Sequence, residues 1–281
     1  MKLLEILQYR FSETPVPYGW FHIVCLEIIF TGVILLTYFF SNADDKKFRR
    51  FLLVVWLILI FVELYKELTF RHEWVFDENG KVLEVSYHWY AFPYQFCSTP
   101  FYILPFVIFL PDGKVRNAMM SYISTFVMIA GLLVTFFPVD VFVKQIGICI
   151  QTMIQHGFQI VLGVLITVRN REKLRDFRSI LKYLYPGIIV FACMATIAIG
   201  LNELVYHTNI ANGETFNMFF ISKHYPCTLA ILSSIYAKVP YAAFLPIYLI
   251  GFSLAAFVVI LAQAGIIKLA ETIHNKKSQR S

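Results

Sequence analysis

Two side chains in otherwise apolar stretches have the types that acyl transfer requires. Cys97 lies in the segment FPYQFCSTP, and His156 lies in QTMIQHGFQI. A thiolate beside a general base performs this chemistry, because the sulfur takes the acyl group, the base moves the proton, and nearby donors stabilise the oxyanion. Pro93 favours a helix start just before Cys97, and a helix N-terminus favours the thiolate. Cys97 and His156 are therefore the candidate nucleophile and base, although one cysteine in a membrane helix is more often a small apolar filler.

Further polar side chains fall in apolar stretches at helical spacing. Glu63, Lys66 and Glu67 lie on one helix face, because they are three and four residues apart. A charge at the centre of a membrane span costs at least about 2.5 to 3.5 kcal/mol, so such residues normally face a bundle interior or a water-filled cavity. The predicted supporting residues of a shared cavity are Glu63, Lys66, Glu67, Gln95, Gln159 and Asn202. In the simpler alternatives, the Glu–Lys–Glu set neutralises itself at the membrane interface, and the glutamines join helices by hydrogen bonds.

Membrane-spanning helices must position these residues. Of the 281 residues, 58% are hydrophobic and 15% are charged, and the mean hydropathy is +0.66, which excludes an ordinary soluble domain. A span needs about 20 apolar residues. Seven stretches meet this need, at approximately 20–40, 51–70, 93–110, 117–137, 144–168, 183–205 and 241–267. We therefore predict an all-α membrane protein, a seven-helix bundle in one domain over residues 1–281, with a third helix kinked by its prolines.

The distribution of Lys and Arg predicts the orientation of the bundle. Sixteen of them fall on one side of the predicted spans and seven on the other. The positive-inside rule then places the N-terminus outside and the C-terminus in the cytoplasm. With this orientation the polar candidates share the outer half of the membrane. The formal charge of +6 is explained by membrane orientation, so no nucleic-acid partner is predicted.

No cofactor and no metal site are predicted. The five cysteines show no CxxC spacing, and neither a phosphate loop nor a nucleotide fingerprint occurs. His22, His207 and His224 are isolated in the sequence, and His72 and His88 are dispersed in one loop. We expect these histidines to be solvated rather than to bind an ion.

Three stretches carry a resemblance to a known family. They are FPYQFCSTPFYILP, QTMIQHGFQI and LNELVYHTNIANGETFNMFFISKHYP, and they resemble the YwaF-type integral membrane proteins of Firmicutes. That family is similar to a vertebrate transmembrane acyltransferase of ether-phospholipid synthesis and, more distantly, to androgen-induced threonine-dependent lipid hydrolases. The resemblance implies that Cys97 matches the family's cysteine, His156 with Gly157 its histidine and glycine, and Asn202 and Asn217 its asparagines.

These observations predict a lipid-modifying enzyme of the cell membrane. Acyl transfer or acyl hydrolysis would use Cys97 and His156 in an outer cavity, on a membrane phospholipid or acyl-lipid substrate, in a bacterial plasma membrane. Buried Glu, Lys and His also suit a proton-coupled transporter or permease, although no repeat is visible. A seven-helix receptor or assembly factor is a third hypothesis, because topology alone does not assign function.

Overall fold

The computed structural model describes residues 6–76 and 82–278, and these are predominantly helical. The helices are α1 (Trp20–Phe40), α2 (Asp45–Lys66), α3 (Pro100–Phe109), α4 (Lys114–Tyr122), α5 (Met128–Phe136), α6 (Ile146–Arg169), α7 (Phe177–Thr208), α8 (Leu232–Tyr236) and α9 (Tyr241–Ser278). A π-helical turn, Ile123–Val127, joins α4 to α5. These two helices therefore form one apolar helical segment, Lys114–Phe136.

Five helical segments are long and apolar enough to cross a membrane. They correspond to the first, fourth, fifth, sixth and seventh predicted spans, at Trp20–Phe40, Lys114–Phe136, Ile146–Arg169, Phe177–Thr208 and Tyr241–Lys276. The second predicted span is the helix α2, which carries charged residues at both of its ends. The third is only a short apolar helix. Five of the predicted spans are thus confirmed as apolar helices, whereas seven crossings and the orientation stay predictions.

The third predicted helix starts later than the sequence suggested. The α-helix begins at Pro100 and contains Pro105, whereas Cys97 lies in a preceding 3-10 turn, Phe96–Ser98. Proline suits the first position of a helix because it lacks the amide hydrogen that has no intrahelical acceptor there. The prediction of a helix from residue 93 is therefore wrong, and Cys97 lies just before the helix.

A β-hairpin departs from the predicted all-α fold. Strands β1 (His72–Phe76) and β2 (Val82–Tyr87) pair antiparallel, with His72 opposite Tyr87. Aromatic and β-branched residues favour extended backbone in both strands. The connection at 77–81 lies outside the described residues, as do parts of the predicted 71–92 loop and C-terminal tail. The hairpin directly follows α2 and the π-helical turn Glu67–Arg71.

The helix α6 occupies the centre of the bundle. About 78% of an apolar 18-residue stretch of α6 is buried inside the protein, against 6% of the corresponding stretch of α1 and 22% of that of α9. Two glycines allow close packing around it. A Cβ atom at Gly131 of α5 would lie 2.8 Å from Gln159 Cβ, and one at Gly163 would lie 2.8 Å from Met128 Cβ. Because α6 is covered on most sides, its polar side chains must find partners within the protein.

Candidate active site

The turn that carries Cys97 is held against α6 by two glutamine side chains. The backbone carbonyl of Cys97 accepts hydrogen bonds from Gln155 Nε2 at 3.1 Å and from Gln159 Nε2 at 2.6 Å. Gln151 Nε2 donates to Gln155 Oε1 at 2.5 Å, which orients the second amide of this row. The predicted supporting residue Gln159 therefore contacts the Cys97 turn directly. Gln155 also contacts this turn, and only the packing of the turn on α6 reveals that contact.

His156 is buried and keeps one ring nitrogen free. Its exposed fraction is 5%, and Nδ1 lies 2.8 Å from the carbonyl oxygen of Thr152. A carbonyl oxygen only accepts, so Nδ1 must carry the proton and Nε2 must carry a lone pair. Nε2 has no hydrogen-bond partner, and neither does Gln159 Oε1. An unpartnered basic nitrogen is what a general base needs before substrate arrives.

A second buried histidine shows the opposite arrangement. His22 in α1 is fully buried, which corrects the expectation that it is solvated. The amide of Tyr18 donates to its Nδ1 at 2.8 Å, and its Nε2 lies 2.8 Å from the carbonyl oxygen of Thr135. Both ring nitrogens are therefore satisfied. Burial alone does not leave a histidine unpartnered in this protein, so the free nitrogen of His156 is specific to its location.

The thiol of Cys97 and the imidazole of His156 are not hydrogen-bonded in this structure. Nδ1 of His156 is engaged with Thr152, and Nε2 has no partner. The C-terminal end of α2, which carries Lys66, lies against the start of α6, because Gln145 Nε2 donates to Tyr65 Oη at 3.3 Å. The predicted residues of α2, the Cys97 turn and α6 thus come together at one end of the bundle.

Arg71, rather than Lys66, neutralises the two glutamates of α2. It is 1% exposed and forms ion pairs with Glu63 and Glu67, while its Nε donates to the carbonyl oxygen of Ala91. The alternative of a self-neutralising Glu–Lys–Glu set is therefore wrong. Lys66 forms no ion pair within 4 Å among the described residues. Arg71 follows Glu67 by four residues and Glu63 by eight. This helical spacing is the signal in the sequence that could have revealed the ion pairs.

Three other predicted residues hold one loop in place. Gln95 donates to the carbonyl oxygen of Asn217 at 3.0 Å and accepts from the amide of Phe219 at 3.0 Å. Asn202 donates to the carbonyl oxygen of Met218 and accepts from its amide. Asn217 donates to the carbonyl of Pro226 and accepts from the amide of Ser222. These side chains support the loop at 217–226, and Gln95 and Asn202 each use one of their two amide hydrogens for it.

A large apolar cavity lies away from this cluster. It is an apolar groove of about 840 Å³ between α1 and α6, lined on the α6 side by Ile146, Ile150, Met153, Gly157 and Val161. Gln155 follows Met153 by two residues, as Gln159 follows Gly157, and at 3.6 residues per turn two residues span about 200°. The groove and the glutamines therefore occupy opposite faces of α6. The volume of this groove therefore does not indicate a binding pocket at Cys97.

Two histidines that seemed isolated in the sequence meet at Glu203. His224 Nε2 lies 3.1 Å from both carboxylate oxygens of Glu203, and His207 Nε2 lies 3.3 Å from Oε2. The expectation that His207 and His224 stand alone is therefore wrong. Only tertiary structure brings His224 to the end of α7, since it is 21 residues from Glu203.

A bundle with five apolar helices of spanning length defines a multi-pass membrane protein. The sequence profile of the TMEM164 family matches residues 17–263, so this chain belongs to the TMEM164 family, a family of transmembrane proteins. The match includes all of the helices from α1 to α8 and most of α9. Comparison with the curated proteins and with the solved structures gave no match.

Proposed function

We propose that this protein is a membrane lipid acyltransferase or acyl hydrolase, with Cys97 as nucleophile and His156 as general base. One observation carries the proposal: a buried imidazole presents an unpartnered Nε2 beside the row of glutamines that holds the Cys97 turn. The chemistry of a thiol with a nearby base supports acyl transfer. The resemblance to a YwaF-type family related to a lipid acyltransferase points in the same direction.

In the proposed first step, His156 Nε2 takes the thiol proton and the Cys97 sulfur attacks the carbonyl carbon of an acyl ester. A C–S bond forms, the ester C–O bond breaks, and the leaving lipid alkoxide takes the proton back from the imidazolium. In the second step, an acceptor hydroxyl group or water gives its proton to Nε2 and attacks the thioester. A new C–O bond forms, the C–S bond breaks, and the leaving thiolate takes the proton from the imidazolium, which regenerates the thiol.

The neighbouring residues would act on charge and position. Lys66, at the C-terminal end of α2, would favour the thiolate and stabilise negative charge that develops nearby. Arg71 holds Glu63 and Glu67 and thereby leaves the charge of Lys66 uncompensated by an ion pair. Since the thiol and Nε2 are not yet hydrogen-bonded, substrate must bring them together, as is common when the free enzyme is compared with its substrate complex.

We also propose that all seven predicted segments cross the membrane, with the N-terminus outside. The contacts among the C-terminal end of α2, the N-terminal part of α6 and the Cys97 turn support this, because seven alternating spans would place all three on the outer side. The substrate would be a phospholipid or acyl lipid of the bacterial plasma membrane. Its carbonyl group would reach the cluster from the outer leaflet.

A lipid-like electrophilic probe tests the nucleophile. Purified protein in lipid nanodiscs is treated with a long-chain acyl electrophile, and labelling is mapped by mass spectrometry. We expect labelling at Cys97 that disappears in Cys97→Ser and slows at least about 100-fold in His156→Ala. The matched control is Cys25→Ala, because Cys25 lines the apolar groove on the other face of α6.

Unchanged labelling in both Cys97→Ser and His156→Ala would overturn the proposal. Product analysis separates the two reactions, since a transferase moves the acyl chain to a second lipid and a hydrolase releases a free fatty acid. Proton-coupled uptake into proteoliposomes that requires Glu63 and His156 but tolerates Cys97→Ser would instead support the transporter hypothesis.

A further inference from the structure

A cluster of three potential metal ligands lies at the end of α7, apart from Cys97 and His156. Glu203 and His207 are one helical turn apart, and His224 reaches them from the loop at 217–226. Among residues 6–76 and 82–278, this is the one group of three His, Cys, Asp or Glu side chains whose ligand atoms all lie within 4.8 Å of one another. We propose that Glu203, His207 and His224 bind a divalent transition metal ion, with Zn²⁺ as the best match.

The donor set and its dimensions fit zinc. Two imidazole nitrogens and one carboxylate form a common zinc ligand set, with metal–ligand bonds of about 2.0 to 2.2 Å. Tetrahedral bonds of that length separate the ligand atoms by about 3.3 Å. The distances from Glu203 to His224 Nε2 and to His207 Nε2 are 3.1 and 3.3 Å. An ion between these atoms would therefore require only small side-chain movements.

The surroundings hold one ligand rigidly and leave another accessible. The ring of Tyr206 stacks on His224 with centroids 3.5 Å apart and planes within 5°. The amide of His224 also donates to Ser222 Oγ at 3.1 Å. By contrast, the His207 side chain is 69% exposed and that of Glu203 is 36% exposed. An ion thus has a route from solvent, and a fourth coordination position is left for water or a solute.

The position of the cluster connects a bound ion to the Cys97 turn through one loop. His224 belongs to the same loop as Asn217 and Phe219, and that loop is hydrogen-bonded to Gln95, two residues before Cys97. A bound ion would connect the end of α7 to this loop through metal–ligand bonds. These bonds are stronger than the hydrogen bonds between the imidazoles and the Glu203 carboxylate. Metal binding should therefore make the loop at 217–226, which is hydrogen-bonded to Gln95 beside the Cys97 turn, more rigid. The ion would not contact the thiol itself.

Zinc binding can be measured on the full-length protein in detergent after chelator treatment, with ZnCl₂ as the added ligand. We expect one zinc ion per chain by elemental analysis after desalting. Thermal unfolding should shift upward by about 5 to 10 °C at a free zinc concentration about 100 times the Kd. Co²⁺ should give the visible absorption of a tetrahedral nitrogen and oxygen site.

The variants distinguish a metal site from simple carboxylate–imidazole hydrogen bonds. Glu203→Gln keeps a hydrogen-bond acceptor, and His207→Ala changes an exposed side chain, so both should fold. Each should weaken zinc binding by more than about 100-fold, whereas His274→Ala, at an exposed histidine of α9, should bind normally. The proposal fails if the wild type retains no zinc and shows no shift. It also fails if Glu203→Gln and His207→Ala bind as tightly as the His274→Ala control.

Discussion

The two ends of α2 each meet a buried arginine, but they use it differently. At the N-terminal end, Arg116 is 4% exposed, forms ion pairs with Asp45 and Asp112, and donates to the carbonyl oxygen of Val107. At the C-terminal end, Arg71 is 1% exposed and pairs with Glu63 and Glu67. Both clusters remove a guanidinium group from water, and both neutralise it with two carboxylates. The difference lies in what surrounds the pairs.

At the Asp45 end of α2, which we call the closed end, arginine side chains donate hydrogen bonds to backbone carbonyl oxygens. Arg49 donates to the carbonyl oxygens of Ile108 and Leu110 at 2.6 Å each, next to the contact of Arg116 with Val107. These arginines therefore satisfy the free carbonyls at the C-terminal end of α3, where a cation is also favourable. No side-chain atom of this network is buried without a partner among the described residues.

At the Glu63 end of α2, which we call the open end, buried acceptor atoms have no hydrogen-bond partner. Of the six buried side-chain atoms without a partner in the described part of the chain, three belong here: Glu63 Oε2, His156 Nε2 and Gln159 Oε1. Each such atom costs about 1 to 3 kcal/mol relative to a satisfied one. Unpaired buried atoms at one end of α2 alone support the proposal that binding or chemistry takes place there, because function commonly reduces local stability.

The largest effect should appear when the open imidazole is removed. His156→Met should lower acyl-transfer activity by about 10² to 10⁴-fold, the usual contribution of a general base. The unfolding temperature should stay nearly constant, since the variant loses one hydrogen bond but also an unsatisfied acceptor. Activity assays and thermal unfolding in detergent measure the two quantities.

The matched control for this change is His22→Phe, at a buried histidine with both nitrogens bonded. It should lower stability by about 1 to 3 kcal/mol and leave the activity of the folded fraction intact. If His156→Met and His22→Phe lost the same stability and neither lost activity, the distinction between the two histidines would disappear.

The next largest effect concerns the buried ion pairs at the open end. Arg71→Met should lower the free energy of unfolding by about 3 to 5 kcal/mol, because it leaves two carboxylates without their cation. Adding Glu63→Gln and Glu67→Gln to this variant should restore part of the loss. Equilibrium denaturation compares these proteins with Arg175→Ala, which removes an exposed pair with Glu172 and should change stability by at most about 1 kcal/mol. Equal effects of Arg71→Met and Arg175→Ala would contradict the burial argument.

A packing variant should have an intermediate effect on both quantities. At Gly131 a new Cβ would lie 2.8 Å from Gln159 Cβ and 2.9 Å from the His156 carbonyl oxygen. Gly131→Ala should therefore cost about 1 to 3 kcal/mol and displace the polar row of α6, which lowers activity. Gly200→Ala is the control, because nothing lies within 4 Å of that Cβ position, and it should be neutral or slightly stabilising. Wild-type behaviour of Gly131→Ala in both assays would count against this close packing.

The smallest effect is expected at the closed end. Asp45 is partly exposed and shares its charge among Arg49, Arg116 and the more distant Arg169. Asp45→Asn should lower the free energy of unfolding by about 1 kcal/mol, because partly exposed ion pairs contribute little. Activity per folded molecule should not change. A marked loss of activity without loss of stability would show that this end also takes part in function.

Much of the helical organisation was predictable because hydrophobic length is a local property. The first span was predicted at 20–40 and the helix α1 is Trp20–Phe40, and four other apolar helices lie close to their predicted positions. The start of α3 and the hairpin after α2 were not predicted. Near Pro93 and Pro100, composition shows a break but does not say which proline begins the helix.

The site was predictable in part. Cys97, His156, Gln159 and Lys66 were identified from residue type and depth, and among them the structure joins Gln159 to the Cys97 turn by a hydrogen bond. Arg71 was missed because it follows the predicted span and counts as a loop residue in the sequence. Gln95, Asn202 and Asn217 were identified, but their partners are backbone groups of a distant loop, which no spacing rule reveals.

The sequence by itself determined that this protein lies in a membrane, since apolar stretches of spanning length require one. The placement of Lys and Arg predicts which side of the membrane each loop faces. The tertiary structure decided which polar groups are paired. Hydrogen bonds and ion pairs act over a few ångströms between residues that are far apart in the chain. Whether His156 keeps a free nitrogen, or whether His207 and His224 share Glu203, is therefore fixed only when the helices and loops have packed.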